Sequence, residues 1–434
     1  MRRAVTSALL AVLLLLPAVA RAEFRGAYAY PFVDPLAATV AQTPQANQAK
    51  LPSEARINQI AEIRYVRPFP NRKLPEIFWY NRDGMPYWFL KQPFPDAPLA
   101  FNIGGTGAGA DAQTSRLLAR ALYSVGFHVV SIPSPTHPSF ITTASETMIP
   151  GRMQNDAADI YRVMRMIDAD LKGEIKPTGY YVLGFSLGGT HTGFVAELDS
   201  RLHAFDFKRA LMINPSVDLI NSLHILDDML DKYVRQDPHA VRNFLDGIFS
   251  QIVANSNPND QINLTDDNLV YRAYTTLEPS ERELEMVIGF VFRLSSNDIA
   301  FTSDVMTNAG YIVPKNAVIR IPTTLTDVFV KGFGLNFEDY FDGVYVPYYA
   351  KRYPGLTRED MIKQASLRAI EGFLRKDQRV RVISNEDDII LSRGEPQWLN
   401  QVFGARAQIF PTGGHGGNLA QRDVVHTMLQ LLIQ

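Results

Sequence analysis

Between Leu99 and Ile213 the chain repeats one pattern: a short apolar run, a glycine-bearing turn, then a helical stretch. Leu99–Ile103, Phe127–Ile132, Tyr180–Leu183 and Ala210–Ile213 read as buried strands. Between them, Ala112–Tyr123 carries Leu117, Leu118, Ala121 and Leu122 on one face, and Asn155–Leu171 carries Ile160, Val163, Met164 and Ile167. That spacing is the signature of amphipathic helices. A strand that is apolar throughout needs cover on both faces, and parallel neighbours need a helix to cross between them. The pattern therefore predicts an α/β fold with a mostly parallel central sheet and helices on both faces. The rhythm returns near the C-terminus, with strands at Val380–Ser384 and Ala407–Phe410 and a closing helix over Asp423–Leu432.

The intervening region breaks the alternation. Leu223–Tyr233, Ala240–Ile252, Pro279–Phe292 and Arg358–Phe373 read as helices, separated by irregular aromatic stretches such as Phe337–Tyr349. Residues 76–216 and 376–434 are thus expected to form the core, interrupted by a large, mainly helical cap over 217–375. Residues 23–75, rich in Pro, Ala and Gln, read as an extended segment wrapped over that core. Asp83-Gly84 lies between the aromatic runs Glu76–Tyr80 and Tyr87–Lys91, which predicts a β-hairpin there. Residues 1–22 have the form of a signal peptide. Arg2 and Arg3 precede the apolar run Ala8–Leu16, Pro17 ends it, and Ala20-Arg21-Ala22 offers a cleavage site before Glu23. The apolar run falls short of the roughly 20 residues that a membrane span requires. Export to a periplasm or the medium, with no lasting membrane span, is the expectation; the alternative is a retained anchor.

Composition removes several chemistries. There is no Cys among 434 residues, so disulfides, thiolate metal sites and a cysteine nucleophile are excluded. Lys and Arg total 43 against 45 Asp and Glu, a formal charge of −2, which leaves no basic footprint for nucleic acid. No H-E-x-x-H occurs, and neither a metal nor an organic cofactor is expected. The loop Gly104-Gly105-Thr106-Gly107 is not followed by Gly-Lys-Ser/Thr and lacks the dinucleotide glycine spacing, so a phosphate cradle is disfavoured.

What remains is nucleophilic catalysis. Gly184-Phe185-Ser186-Leu187-Gly188 is a G-x-S-x-G motif set between an apolar strand and a helix. A serine there occupies a strained turn, and side chains at Gly184 or Gly188 would collide with the neighbouring strand and helix. A serine hydroxyl needs a base, and His415 lies in Gly413-Gly414-His415-Gly416-Gly417 directly after the last strand. The other histidines have plainer readings: His128 and His426 lie inside regular elements, and His191 packs or faces solvent on the helix after Ser186. The base in turn needs a carboxylate. Asp388, in the turn after Val380–Ser384, is the expected acid, with Asp387 next and Glu386 third. The N–H of Leu187 is one expected oxyanion donor. The second should come from the loop after Leu99–Ile103, with Thr106 the first choice and Gly105 the alternative.

In these motifs and in their order Ser…Asp…His, the chain resembles the α/β-hydrolase superfamily over roughly half its length; no subfamily is recognised. The resemblance implies a sheet of about eight strands with an antiparallel first pair, and a cap inserted after the strand that follows the nucleophile helix. It implies a serine hydrolase acting on a carboxylic ester or a small-molecule or lipid-like acyl substrate. Thioesterase, peptidase or acyltransferase chemistry would use the same residues, and a non-catalytic binding module on the same scaffold is the competing class. The glycine loop lacks the His-Gly start common in the superfamily, and Asn385 stands before the acid turn where Gly is common.

Overall fold

The computed structural model describes residues 28–234, 243, 246–247, 269–321 and 323–434. Residues 1–22, read as a signal peptide, and the expected helix Ala240–Ile252, apart from residues 243, 246 and 247, lie outside the described residues.

Eight strands form one sheet: β1 (Ala61–Val66), β2 (Met85–Leu90), β3 (Asp96–Ile103), β4 (His128–Ile132), β5 (Lys176–Phe185), β6 (Arg209–Ile213), β7 (Val380–Asn385) and β8 (Ala407–Phe410). Their spatial order is β1-β2-β4-β3-β5-β6-β7-β8. β2 runs antiparallel to both β1 and β4, and every other pairing is parallel. Alternation along the strands divides the core into two layers. Leu99, Phe101 and Ile103 of β3 pack in one apolar cluster with Ile160, Val163 and Met164, whereas Ala100 packs in the other with Leu118, Leu122 and Val425.

The helices that cover the sheet and build the cap include α1 (Pro35–Ala41), α2 (Gln113–Ser124), α3 (Met153–Asp170), α4 (Leu187–Leu202), α5 (Leu219–Val234), α6 (Leu269–Leu277), α7 (Glu281–Thr307), α8 (Thr326–Phe333) and α9 (Arg422–Ile433). α2 and α9 cover one face of the sheet, α3 and α4 the other. After β3 the chain steps to β4 on one side and later to β5 on the other. The C-terminal ends of β3 and β5 therefore flank the point where the winding direction reverses, the place where open α/β sheets leave a crevice.

Three expectations differ from the structure. Glu76–Asn81 is a 3₁₀ helix, not a strand, and the antiparallel partner of β2 is β1, which lies in the segment read as extended. Phe78 is buried while Trp79 and Tyr80 are half exposed, one residue in three, which fits a 3₁₀ turn and not an alternating strand. β1 is a weakly patterned edge strand with Ile63 and Tyr65 exposed, so its alternation carries little signal. The stretch Phe337–Tyr349, read as irregular, is helical almost throughout. Its aromatics recur every four residues: Phe341 stacks on Tyr345 at 4.8 Å, and Tyr345 leans at a tilt against Tyr349 at 4.6 Å between ring centroids. Finally, the expected helix Arg358–Phe373 breaks at Ser366, where Ser366 Oγ and the Leu367 N–H both donate to the Val217 carbonyl at 2.9 and 2.8 Å.

Within the insertion, α7 is long and begins in a capping box formed by Ser280 and Glu283. It lies close against α5: a side chain on Gly289 would place Cβ 2.7 Å from the Leu230 nitrogen. Arg293 of α7, buried, pairs with Asp231 of α5 at 2.5 Å and donates to the Phe333 carbonyl of α8 at 3.2 Å. One guanidinium thus ties three helices. Arg293→Ala removes the guanidinium that Asp227 and Asp231 share and breaks the tie between the three helices, and the expected loss is about 3–5 kcal/mol. Urea unfolding followed by tryptophan fluorescence and circular dichroism checks it.

Candidate active site

β5 ends at Phe185 and α4 begins at Leu187, so Ser186 alone makes the turn. Its backbone stands at φ 57°, ψ −125°, a conformation that L-residues avoid. Two hydrogen bonds hold it: the Ser186 N–H donates to the Ile213 carbonyl at 2.9 Å, and the Thr190 N–H donates to the Ser186 carbonyl at 3.1 Å. The turn also needs room. A Cβ on Gly184 would overlap the backbone of Gly188, and one on Gly188 would overlap the carbonyls of Ile103 and Gly104. β3, β5 and the start of α4 therefore touch backbone to backbone.

The structure brings Ser186, His415 and Asp388 together. Ser186 Oγ lies 2.9 Å from His415 Nε2. His415 Nδ1 lies 2.9 and 3.2 Å from the two oxygens of Asp388. The Asp388 carboxylate is fully buried, whereas the imidazole remains 15% exposed. Asp388 also accepts from Asn214 Nδ2 at 2.9 Å and from the Ile390 N–H at 3.2 Å. These bonds fix its plane toward the imidazole.

Asp387 faces elsewhere. Its carboxylate accepts from the N–H groups of Gly413 and Gly414 at 3.1 and 3.0 Å, so it braces the loop that carries His415. Burial pushes the Asp387 carboxyl up to about 6, against the pull of those two amides. Glu386 is exposed. Of the three neighbouring acids, Asp388 alone meets the imidazole.

The glycine loop after β3 sorts its own amides. The Gly104 N–H donates to the Ile132 carbonyl at 3.0 Å, and the Gly107 N–H donates to Thr136 Oγ1 at 2.8 Å. Among the described residues, the N–H groups of Gly105, Thr106 and Leu187 meet no protein acceptor. Gly105 lies beside the serine, since a Cβ there would be 3.5 Å from Ser186 Cβ. The cap closes over this loop: a Cβ on Gly107 would lie 2.8 Å from Ser295 Oγ of α7.

Three other described histidines have partners of their own. His128 is buried in β4, its ring meeting the Gln92 N–H and the Pro95 carbonyl. His137 caps the short helix Pro138–Thr143, and burial pulls its imidazole down to about 4. His191 is buried beside Asp156, 3.4 Å away.

Sequence reasoning missed several contributors. Asn214 follows β6 and Asn385 ends β7, and polar residues at the C-terminal ends of parallel strands are a signal that could have found both. Asn385 Nδ2 donates to the Gly414 carbonyl at 2.7 Å. Tyr28 and Thr39, which reach the His415 loop from the N-terminal segment, have no comparable signal.

The strand order with its antiparallel second strand, the serine turn after β5, the glycine loop after β3 and the helical insertion after β6 together define the α/β-hydrolase fold. No protein-family model matches the sequence, and no curated protein matches it. Among solved structures, the chain is similar to a probable hydrolytic enzyme from Pseudomonas aeruginosa, 14% identical over 86% of this chain and 94% of that one, with a TM-score of 0.42. It is also similar to an esterase from Pyrococcus furiosus, 9% identical over 89% and 96% of the two chains, with a TM-score of 0.40. A third is Est1E from Butyrivibrio proteoclasticus with ferulic acid bound, 11% identical over 81% and 98%, with a TM-score of 0.38.

The tight serine turn and the buried Asp387 each have a measurable consequence. Gly188→Ala forces β3 and α4 apart, and the expected cost is at least about 3 kcal/mol or failure to fold, read from the yield of soluble protein and its urea midpoint. Asp387 has a folded pKa raised from 3.8 to about 6, so its neutral form is the one the fold favours. Its contribution to stability is complete below pH 3.8 and is lost as pH rises through 6. Asp387→Asn removes that slope. Relative to the wild type, the variant should gain about 1–2 kcal/mol between pH 4 and pH 7, after allowance for solvent screening, as measured by urea unfolding at both values.

Proposed function

We propose that this protein is an exported serine hydrolase that cleaves a carboxylic ester or a closely related acyl bond. The observation that carries the reading is the 2.9 Å contact between Ser186 Oγ and His415 Nε2, made by a serine held at positive φ. A scaffold with no catalytic role has no reason to keep a strained serine against an imidazole whose other nitrogen rests on a buried carboxylate.

In the proposed mechanism, Ser186 Oγ attacks the substrate carbonyl carbon while its proton passes to His415 Nε2. Asp388 stays ionised and accepts from Nδ1–H, which fixes the tautomer and stabilises the imidazolium. The carbonyl oxygen becomes an oxyanion. The N–H of Leu187 and that of Gly105 or Thr106 donate to it, and the start of α4 adds its dipole. The tetrahedral adduct collapses, the ester C–O bond breaks, and His415 returns the proton to the leaving alkoxide. Water then attacks the acyl-serine by the same route, giving the acid and free Ser186. The proposed steps call on no metal or cofactor.

Ser295 of α7 borders the glycine loop, so the cap lies beside the proposed oxyanion donors. Among the described residues, no helix is long and apolar enough to cross a membrane. N-terminal sequencing of the protein recovered from the periplasmic fraction or the medium tests export and cleavage before Glu23.

A fluorophosphonate probe should label the wild type and leave Ser186→Ala unlabelled; full labelling of that variant would falsify the assignment. Asp388→Asn should lower kcat/KM on a p-nitrophenyl ester on the order of 10³–10⁴-fold, because the wrong imidazole tautomer then faces the serine. Asp387→Asn should lower it by less than about tenfold, since the amide oxygen still accepts from one of the two loop N–H groups and the imidazole keeps Asp388. A panel of esters and thioesters of graded chain length reports what the cap admits.

A further inference from the structure

The loop that carries His415 is not shaped by the sheet alone. α1, preceded by its cap Asp34, lies directly on it. Thr39 Oγ1 donates to the Pro35 carbonyl at 2.7 Å and accepts from the His415 N–H at 2.9 Å. Thr43 Oγ1 donates to the Gly417 carbonyl at 2.8 Å, and Tyr28 Oη donates to the Thr412 carbonyl at 2.8 Å. The glycines of this loop record the same contact. A Cβ on Gly414 would overlap the Pro35 carbonyl and Thr39 Oγ1, and one on Gly417 would overlap the Ala38 carbonyl. Two of the four glycines around His415 are therefore needed because α1 is there.

The opposite side of α1 meets the cap. Leu36 and Ala37 share an apolar cluster with Met229 of α5 and Leu284 of α7, and Phe32, Val40 and Ile389 pack against it. Phe32 sits edge-on to Tyr274 of α6 at 5.5 Å between centroids. Ile389 directly follows Asp388. One short segment thus touches the backbone of the candidate base, the residue after the candidate acid, and three cap helices.

We propose that α1 is the positioning element for His415, with Thr39 as its contact point. The inference rests on the serine-hydrolase reading for its catalytic consequence. Backbone contacts at Gly413, Gly414 and His415 come from two sides: Asp387 holds the first two amides, and Thr39 holds the third. With the Thr39 contact gone, the His415 N–H loses its side-chain acceptor, and the imidazole gains freedom to leave the line from Asp388 to Ser186. The proposed mechanism assigns neither Thr39 nor the His415 N–H to holding the substrate. The defect should therefore fall on turnover and leave affinity alone.

The test compares Thr39→Val, which keeps the shape and removes the oxygen, with Thr39→Ser, which keeps the oxygen. On a short p-nitrophenyl ester, Thr39→Val should lower kcat about tenfold or more with KM within about twofold, and Thr39→Ser should restore most of kcat. Independently of activity, the His415 amide should exchange its hydrogen at least about tenfold faster in Thr39→Val than in the wild type, and its amide proton resonance should shift upfield. If Thr39→Val does not fold, Thr39→Ala removes the same oxygen and is measured in the same way. Wild-type kcat in the Val or Ala variant, or a Ser variant as slow as Val, overturns the proposal. A wild type that neither turns over esters nor labels with the probe overturns the hydrolase reading instead. The exchange measurement then decides the Thr39 contact by itself: unchanged protection of His415 in Thr39→Val sinks it.

Discussion

Ser186 stands at φ 57°, ψ −125°, and the rest of the site is arranged around keeping it there. Such a conformation costs roughly 1–3 kcal/mol, and it persists only where the surroundings over-determine it. Here the Ile213 carbonyl holds the serine N–H, the Thr190 N–H holds its carbonyl, and the glycines at 184 and 188 let β3, β5 and α4 meet backbone to backbone. The close approach does two things at once. It sets Ser186 in the turn at the end of β5, and it draws the loop after β3 beside it. Among the described residues, the amides of Gly105, Thr106 and Leu187 meet no protein acceptor.

The imidazole is fixed by a different principle. Nothing in β8 aims His415 at Ser186; the loop after β8 is positioned by hydrogen bonds to its backbone. Two adjacent carboxylates divide the work. Asp388 is clasped by Asn214 and turned toward Nδ1, while Asp387, one residue earlier, turns the other way to the Gly413 and Gly414 amides. Consecutive residues in a turn point in different directions, and that simple geometric fact lets one turn supply both an orienting group for the ring and a brace for its loop. Asn385 adds a third contact at the Gly414 carbonyl. α1 touches both this loop and the cap helices α5 and α7, so the two share one contact element.

The strands of the sheet from β2 onward are legible in the sequence because each is apolar over most of its length and is bounded by turn residues. Ser186, His415 and Asp388 are legible because chemistry demands their types, and the fold demands their order. β1 is not legible: as an edge strand it needs no continuous apolar run, and Glu62 and Arg64 interrupt its pattern. The 3₁₀ helix at Glu76–Asn81 reads as a strand because aromatic richness favours both, and only the burial of one residue in three separates them. In Phe337–Tyr349 the four-residue aromatic spacing is present in the sequence, but Pro347 and Gly343 obscure it.

The sequence by itself determined the strands of the sheet from β2 onward, the residue types of the candidate nucleophile, base and acid, and the need for glycine around the serine. Those follow from local patterns: periodicity, turn chemistry and the short menu of residues able to carry acyl chemistry. Only the tertiary structure decided which of two neighbouring aspartates faces the imidazole, which amides of the glycine loop stay free, and why His415 lies among four glycines. Each of these depends on a partner far away in the chain. Asp388 meets Asn214 across 174 residues, and the His415 amide meets Thr39 across 376. No local pattern encodes such a meeting; it exists only once the sheet has closed and the N-terminal helix has been laid against it.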